Sequence, residues 1–530
     1  MVALDWVILG VYVIVIVGIS YLVGRRQENQ EDYYVGGRRV PSWQVGGSLI
    51  ANQVSAISLV GAPAFIAVKE GGGLKWLQYE LAIPLAMIVI MAVLVPSFRS
   101  MEGITIYQWI EYRFGTLARA MLSLVFLVSR SLATGVALLA TSYVTSKCID
   151  LPLDVTIIGI ALIALLYTAL GGIRADIYSD IIQLVILWIA SIVSIVIIFL
   201  LLDGDLSMPA GAGERLVVFH TSATGLGDGE TFSVWPMLLG GFFLYISYYG
   251  CDQSQAQRLL ATPNERIAQK ALLLNGIFRF PLVLTYCAVG LLLIPLLDKM
   301  PFFAGEVMQH PPDYLVPIFF RQYMPAGMLG FIVSGVFAAS MSSLDSAINS
   351  LSASTWNDML LKVFPGMDAY SDRTKIRLSR LITIFWGVVT TWFALYMAGG
   401  TDTVIELVNM IGSAFYGPIA ALFIVGMLLR APGQGEAVLA LVAGVMVNVY
   451  LWKWQPGVSW MWWNLSGFAT AAIVLAAAGI MRQMFNVNVR HGTYISVKSR
   501  APVSYVAVLA AWFFVMLAVC MVIEGLLLTP

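Results

Sequence analysis

Apolar stretches of about twenty residues recur along the whole chain, separated by short polar breaks, at approximately 4–23, 42–68, 76–97, 118–146, 153–172, 177–202, 233–256, 271–298, 325–356, 378–398, 403–429, 435–452, 459–481 and 503–527. A helix needs ~20 such residues to cross the ~30 Å hydrocarbon layer of a bilayer, so the pattern predicts an all-α integral membrane protein of about fourteen spans. Charged residues make up only 11% of the 530, against ~25% in soluble domains, and mean hydropathy is +0.84. The longest break, 203–232, is too short for a soluble domain. The reading is therefore one transmembrane domain over 1–530, and the first span is taken as a retained helix because it lacks a basic leader and a small-residue cleavage site.

Basic residues orient the chain. Counting Lys and Arg in alternate loops from the loop after the first span, one set holds 21 and the other seven. Cytoplasmic loops carry the excess, so the first set faces the cytoplasm and both termini lie outside the cell. Of 30 basic residues this leaves only Arg130 and Arg279 inside spans, with Arg258 counted in a cytoplasmic loop. Net charge is zero, which points to neither nucleic acid nor an acidic partner, and no obligate protein partner is evident. Four scattered cysteines and three histidines in loops give no disulfide framework, no zinc spacing and no catalytic grouping. A P-loop is absent as well, so neither an enzyme nor ATP dependence is expected.

An ionisable side chain at bilayer depth costs ~2.5–3.5 kcal/mol on insertion scales and needs a partner or a watery cavity. Besides the two arginines, Glu80, Asp180, Asp252, Asp345 and Glu406 fall in spans. They are either ion pairs that fix helix register or the lining of a polar pathway. Glu80, Asp252 and Glu406 are each candidates to neutralise Arg130. Two spans are also interrupted: 42–68 by Gly46, Gly47, Ser48, Asn52, Gln53, Ser55, Ser58, Gly61 and Pro63, and 233–256 by Tyr248 through Gln255. Irregular backbone at membrane depth is tolerated where it lines a cavity, and two broken helices in corresponding positions predict an inverted-repeat transporter with a midplane site. Span 325–356 carries Ser340, Ser342, Ser343, Asp345, Ser346, Asn349, Ser350 and Ser352. Such hydroxyls either bond back to their own helix or, with freed carbonyls, provide the oxygen ligands a hard cation such as sodium prefers.

Several separated segments resemble the sodium/solute symporter family, which includes sodium/glucose and sodium/sialic acid cotransporters. They are Asp32-Tyr33-Tyr34-Val35-Gly36-Gly37-Arg38 before Pro41-Ser42-Trp43; Tyr167 to Ile173 followed by Asp180-Ile181-Ile182-Gln183; Asp252-Gln253 with Gln257-Arg258; and the serine cluster through Asn349-Ser350. The resemblance implies a LeuT-like core of two five-helix inverted repeats, 42–202 and 233–429, preceded by the helix 4–23 and followed by peripheral helices over 435–527. It implies a sodium site at Ala51, Val54, Ala339, Ser342 and Ser343, and a second at Asp180, Asp345 and Ser346, with one or two Na+ as coupling ions. An aspartate at 345 departs from relatives that have Ser or Thr there.

Candidate solute contacts are Gln53, Ser55, Ser58, Glu80, Arg130, Asp252, Gln253, Arg279 and Asn409. Ile57 and Ser58 replace the glutamate–glutamine pair of galactose-type members. Arg279 stands where sugar transporters carry a lysine, and Arg130 where sialic acid transporters carry a carboxylate-binding arginine. The expectation is sodium-coupled import of a sugar or sugar acid by alternating access, in a plasma or inner membrane. The alternatives are a monocarboxylate, vitamin or amino acid symporter, or a transporter-like sensor.

Overall fold

The computed structural model describes residues 1–24, 27–54, 56–99, 101, 103–398, 404–429, 432–485 and 501–528, without the side chains of 56–57, 167, 169–170, 339–340, 342 and 404–405. Among the described residues it is all-helical, apart from an isolated bridge between Leu226 and Val458. Of the described helices, eleven are long and apolar enough to cross a membrane, or twelve if one bent pair is counted as a single span.

That pair is α1, Ser42–Gln53, and α2, Ala56–Ala67; the first span of the core predicted from sequence is thus two helices, with axes that differ by 49° between Ser42–Gln53 and Ser58–Ala67. Val54, at the break, has φ −88° and ψ 73°, outside the helical region. The predicted spans 153–172 and 177–202 form one hydrogen-bonded run, Leu153–Leu201, which turns at Gly172 and divides into α3, Leu153–Leu166, and α4, Gly171–Leu201. Gly172 has φ +58°, and a Cβ there would lie 2.7 Å from the Tyr33 carbonyl oxygen, so both the turn and the close approach require glycine.

The predicted span 233–256 ends later than the sequence suggests. It runs through α5, Gly241–Cys251, breaks at Asp252, and resumes as α6, Gln253–Leu260. Asp252 is extended (φ −85°, ψ 126°) and caps α6: its Oδ1 accepts from Ser254 N at 2.8 Å and Ser254 Oγ at 2.6 Å. Arg258 therefore sits in a helix and is 1% exposed, not in a cytoplasmic loop.

Around these broken elements stand Leu74–Arg99, Thr116–Ile149, Glu265–Lys299, Met328–Ser354 and Val404–Leu428. Burial separates core from rim. The most apolar window of Met328–Val363 is 93% buried, whereas that of Val503–Leu528 is 17% buried. An apolar helix with most of its surface uncovered is stable only in a solvent as apolar as itself, which is lipid. The N-terminal helix Ala3–Gly24 is tied to the core by Asp5, whose Oδ1 accepts from Gly327 N at 2.7 Å and Gly330 N at 2.9 Å, capping Met328–Ser354.

Candidate solute and sodium site

A cavity opens where the α1–α2 break, α5 and the helices Leu74–Arg99, Thr116–Ile149, Glu265–Lys299, Met328–Ser354 and Val404–Leu428 converge. It offers about 90 Å³ to the centres of water molecules, room for several waters or a small solute. Of the residues expected from sequence, Gln53, Ser58, Glu80, Arg130, Arg279, Asn409 and Ser343 line it; Ser55 lies outside the described residues. Asn52, Tyr79, Tyr248 and Tyr416, which sequence reasoning left unassigned, line it too.

The two arginines differ in how they are held. Arg279 meets Glu80 fork on fork, Nε to Oε2 at 2.8 Å and Nη2 to Oε1 at 3.0 Å. Its remaining donors reach Gln53 Oε1, Tyr249 Oη at 2.9 Å and Tyr245 Oη at 3.2 Å. Every nitrogen of that guanidinium is engaged, so its charge is neutralised and its geometry fixed. Arg130 is only loosely paired. Its Nη1 is 3.6 Å from Asp252 Oδ2, beyond hydrogen-bond range, and its Nε has no hydrogen-bond partner although the residue is 8% exposed. The Tyr248 ring lies beneath it, with Cζ 5.8 Å from the ring centroid. Asp252 thus uses one oxygen to cap α6 and turns the other toward Arg130. Glu406, a candidate partner for Arg130, instead binds Lys69 at 3.0 Å.

Gln253 is not in the cavity. Its Oε1 accepts from Ile106 N at 2.9 Å and its Nε2 donates to Ile104 O at 3.0 Å, so it fastens α6 to the segment before Tyr107–Phe114. A polar residue beside a broken helix resembles a ligand in sequence, and only its partners reveal a brace.

A second polar cluster lies among α1, α4, α6 and Met328–Ser354. Arg258 donates through Nη2 to Asp176 Oδ2 at 2.8 Å, to Asp180 Oδ2 at 3.0 Å and to Ser346 Oγ, through Nε to Ser48 Oγ at 2.6 Å, and through Nη1 to Ser254 O at 2.6 Å. Asp180 and Ser346, expected to ligate a second sodium, therefore hold a guanidinium. Asp345 is 2% exposed, with Oδ1 3.5 Å from Ser346 Oγ. Asp176 was missed, although it precedes Asp180 by four positions and so shares its helix face.

The serines of Met328–Ser354 divide by role. Ser350 bonds back to Ser346 O of its own helix at 2.8 Å and reaches Gln257 Oε1 of α6 at 2.9 Å, and Ser352 donates to Ser379 O at 2.9 Å, the last two joining separate helices. Ser343 Oγ is buried, lines the cavity and has no partner, which fits a hydroxyl kept for an ion or solute. Val54 lies at the helix break, with Ala51 buried one turn before it. The side chains of Ala339 and Ser342 lie outside those described.

Comparison with known proteins agrees with this architecture. Residues 33–444 match the sodium:solute symporter family. The chain is 25% identical over 449 residues to the sodium/sialic acid symporter NanT of Aliivibrio fischeri, covering 84% of this chain and 87% of that one. It is 26% identical over 468 residues to the sodium-coupled monocarboxylate transporter 2 of Danio rerio, covering 84% and 71%. A Na+-coupled sialic acid symporter in a substrate-bound outward-open state superposes with a TM-score of 0.80 at 22% identity, covering 91% of this chain and 98% of that one. With the matched segment spanning both broken helices and the cavity between them, the chain belongs to the sodium:solute symporter family.

Proposed function

We propose that this protein uses a sodium gradient to import a small organic anion, with a sugar acid of the sialic acid kind as the first reading. The observation that carries it is the contrast between the two cavity arginines. Arg279 is saturated by Glu80, Gln53, Tyr245 and Tyr249, whereas Arg130 keeps a buried Nε without a partner and a loose contact with Asp252. A carboxylate that meets Arg130 completes its donor set. Sialic acid in the name of one relative and a monocarboxylate in that of another support an acid as the solute. The modest cavity favours a monocarboxylate as the second reading.

In this reading Ser58, Gln53 and Asn409 contact the solute, Ser55 being a further candidate, and Glu80 and Asp252 tune the arginines. Sodium binds Ser343 and Ser342 together with the carbonyls of Ala51, Val54 and Ala339. A second ion at Asp345 requires Arg258 to withdraw from Asp180 and Ser346. Coupling then follows from tighter sodium binding to the outward-facing state. The topology has fourteen spans, with α3 and the broken α5–α6 added to the twelve apolar ones, arranged as five-helix repeats over 42–202 and 233–429, with 435–527 peripheral and both termini outside.

Reconstituted protein tests this directly. Labelled N-acetylneuraminate or lactate is expected to accumulate in proteoliposomes under an inward sodium gradient and not under potassium. Equal accumulation in the two buffers refutes sodium coupling; preference for neutral galactose over both acids refutes the anion.

A further inference from the structure

Among the polar side chains that line the cavity, Asn52 is an amide with both ends left unbonded, whereas Gln53 accepts from Arg279. Asn52, two residues before the α1–α2 break, is 5% exposed and lines the cavity, and neither its Oδ1 nor its Nδ2 has a hydrogen-bond partner. Its main chain, by contrast, is anchored: the Asn52 carbonyl accepts from Tyr248 Oη at 3.4 Å. The same Tyr248 presents its ring to Arg130. A single tyrosine thus touches both the guanidinium and the residue that carries the idle amide.

Two asparagines outside the cavity behave differently. Asn357 donates to Ala353 O at 2.8 Å, and Asn448 donates to Ser413 O at 3.3 Å and Ala414 O at 3.0 Å. Each uses its amide to satisfy backbone. Asn52 satisfies none, so packing gives no reason for an amide there, and an alanine or leucine would serve a purely structural role better.

We propose that Asn52 is the second recognition point of the solute site and binds a hydroxyl or amide on the transported anion, so that the solutes are hydroxylated or acylamino carboxylic acids and not plain aliphatic carboxylates. This rests on the anion reading above. An amide side chain offers donors and an acceptor together, the complement of a hydroxyl or an acylamino group, both of which also donate and accept. The cavity has room for a water that satisfies the amide when no solute is bound. A solute with only methylenes at that point displaces the water and leaves the amide unbonded, whereas a hydroxyl restores both bonds. A site built to hydrogen-bond a hydroxyl rejects the analogue that lacks it because its own buried groups are stranded.

The test is competition against sodium-driven uptake of labelled N-acetylneuraminate or lactate in proteoliposomes, with two pairs that differ in hydroxylation: lactate against propionate, and gluconate against hexanoate. On the wild type the hydroxylated member of a pair is expected to compete at a concentration roughly 10- to 100-fold lower. Asn52→Leu brings the pair to parity, and Asn52→Gln retains part of the preference. Parity on the wild type overturns this inference while leaving sodium-driven anion uptake standing. So does Asn52→Leu if it keeps the preference and instead raises the sodium requirement, which makes Asn52 a sodium ligand. If no labelled acid accumulates in sodium, the anion reading fails and this inference with it. Should Asn52→Leu not fold, the wild-type comparison decides alone.

Discussion

One nitrogen of Arg258 lies 3.0 Å from Asp180 and 2.8 Å from Asp176, joining α4 to α6 at a point where all three side chains are removed from solvent. Taking one partner from such a group strands the other charges, at a cost of ~3–5 kcal/mol. Arg258→Leu is therefore expected to lower the melting temperature of the purified protein sharply, and Asp180→Asn in the same chain to recover part of the loss by removing one stranded carboxylate. Additive losses in the double variant would show that the two residues are not coupled.

Arg130 is expected to set affinity for the anion without setting the fold. A charge-assisted pair to a carboxylate is worth ~1.5–3 kcal/mol, so Arg130→Ala should raise the half-saturating concentration of a transported acid roughly 10- to 100-fold. Arg130→Lys keeps the charge but loses the planar fork and should fall between. Isotope-uptake kinetics at saturating sodium measure this. Unchanged affinity in Arg130→Ala would move the carboxylate elsewhere in the cavity.

Ser343 makes the complementary prediction. Its buried Oγ has no protein partner, so Ser343→Ala removes nothing that holds helices together. The expected result is an unchanged melting temperature in potassium and a sodium half-saturation raised roughly tenfold, with the preference among acids intact. A variant that shifts acid preference and leaves sodium dependence alone would make Ser343 a solute contact.

What was legible in the sequence follows from what lipid demands. Spans show because hydrocarbon tolerates no long polar run, and Arg130 and Arg279 show as basic charges inside otherwise apolar spans. Arg258 was hidden for the opposite reason. With the span taken to end at 256, Arg258 reads as part of a cytoplasmic loop, yet Gln257 donates to Tyr34 O at 2.6 Å and Arg258 meets Asp176 and Asp180, contacts across 223, 82 and 78 residues. Spacing carries no record of partners so distant. The same limit assigned Glu406 a possible role at Arg130, although distance gives it to Lys69. It also left Asn52 unassigned, because an amide without partners is recognised only once every neighbour has been counted.

Glu111, on the short helix Tyr107–Phe114, makes the fold sensitive to acid. Its Oε1 accepts from Lys362 Nζ at 2.7 Å and Thr116 Oγ1 at 3.0 Å, and its Oε2 from Arg119 Nη1 at 2.5 Å. Partial burial pushes the carboxyl up, but the bonds from Lys362 and Arg119 outweigh it and hold the group below the ordinary glutamate value. A folded-state value below the unfolded one, about 4.3, means that the stabilisation is complete above that pH and is lost as pH falls through the folded value. Glu111→Gln is therefore expected to melt below the wild type at neutral pH, with the gap closing as the buffer is taken through and below the carboxylate range. Arg119 also donates to Asp358 Oδ1, at 2.8 Å through Nε, so it does not become a stranded charge in the variant. Melting curves in detergent at about pH 7 and about pH 2.5, below the carboxylate range, give the comparison. A gap of the same size at both would show that Glu111 acts through packing and not through its charge.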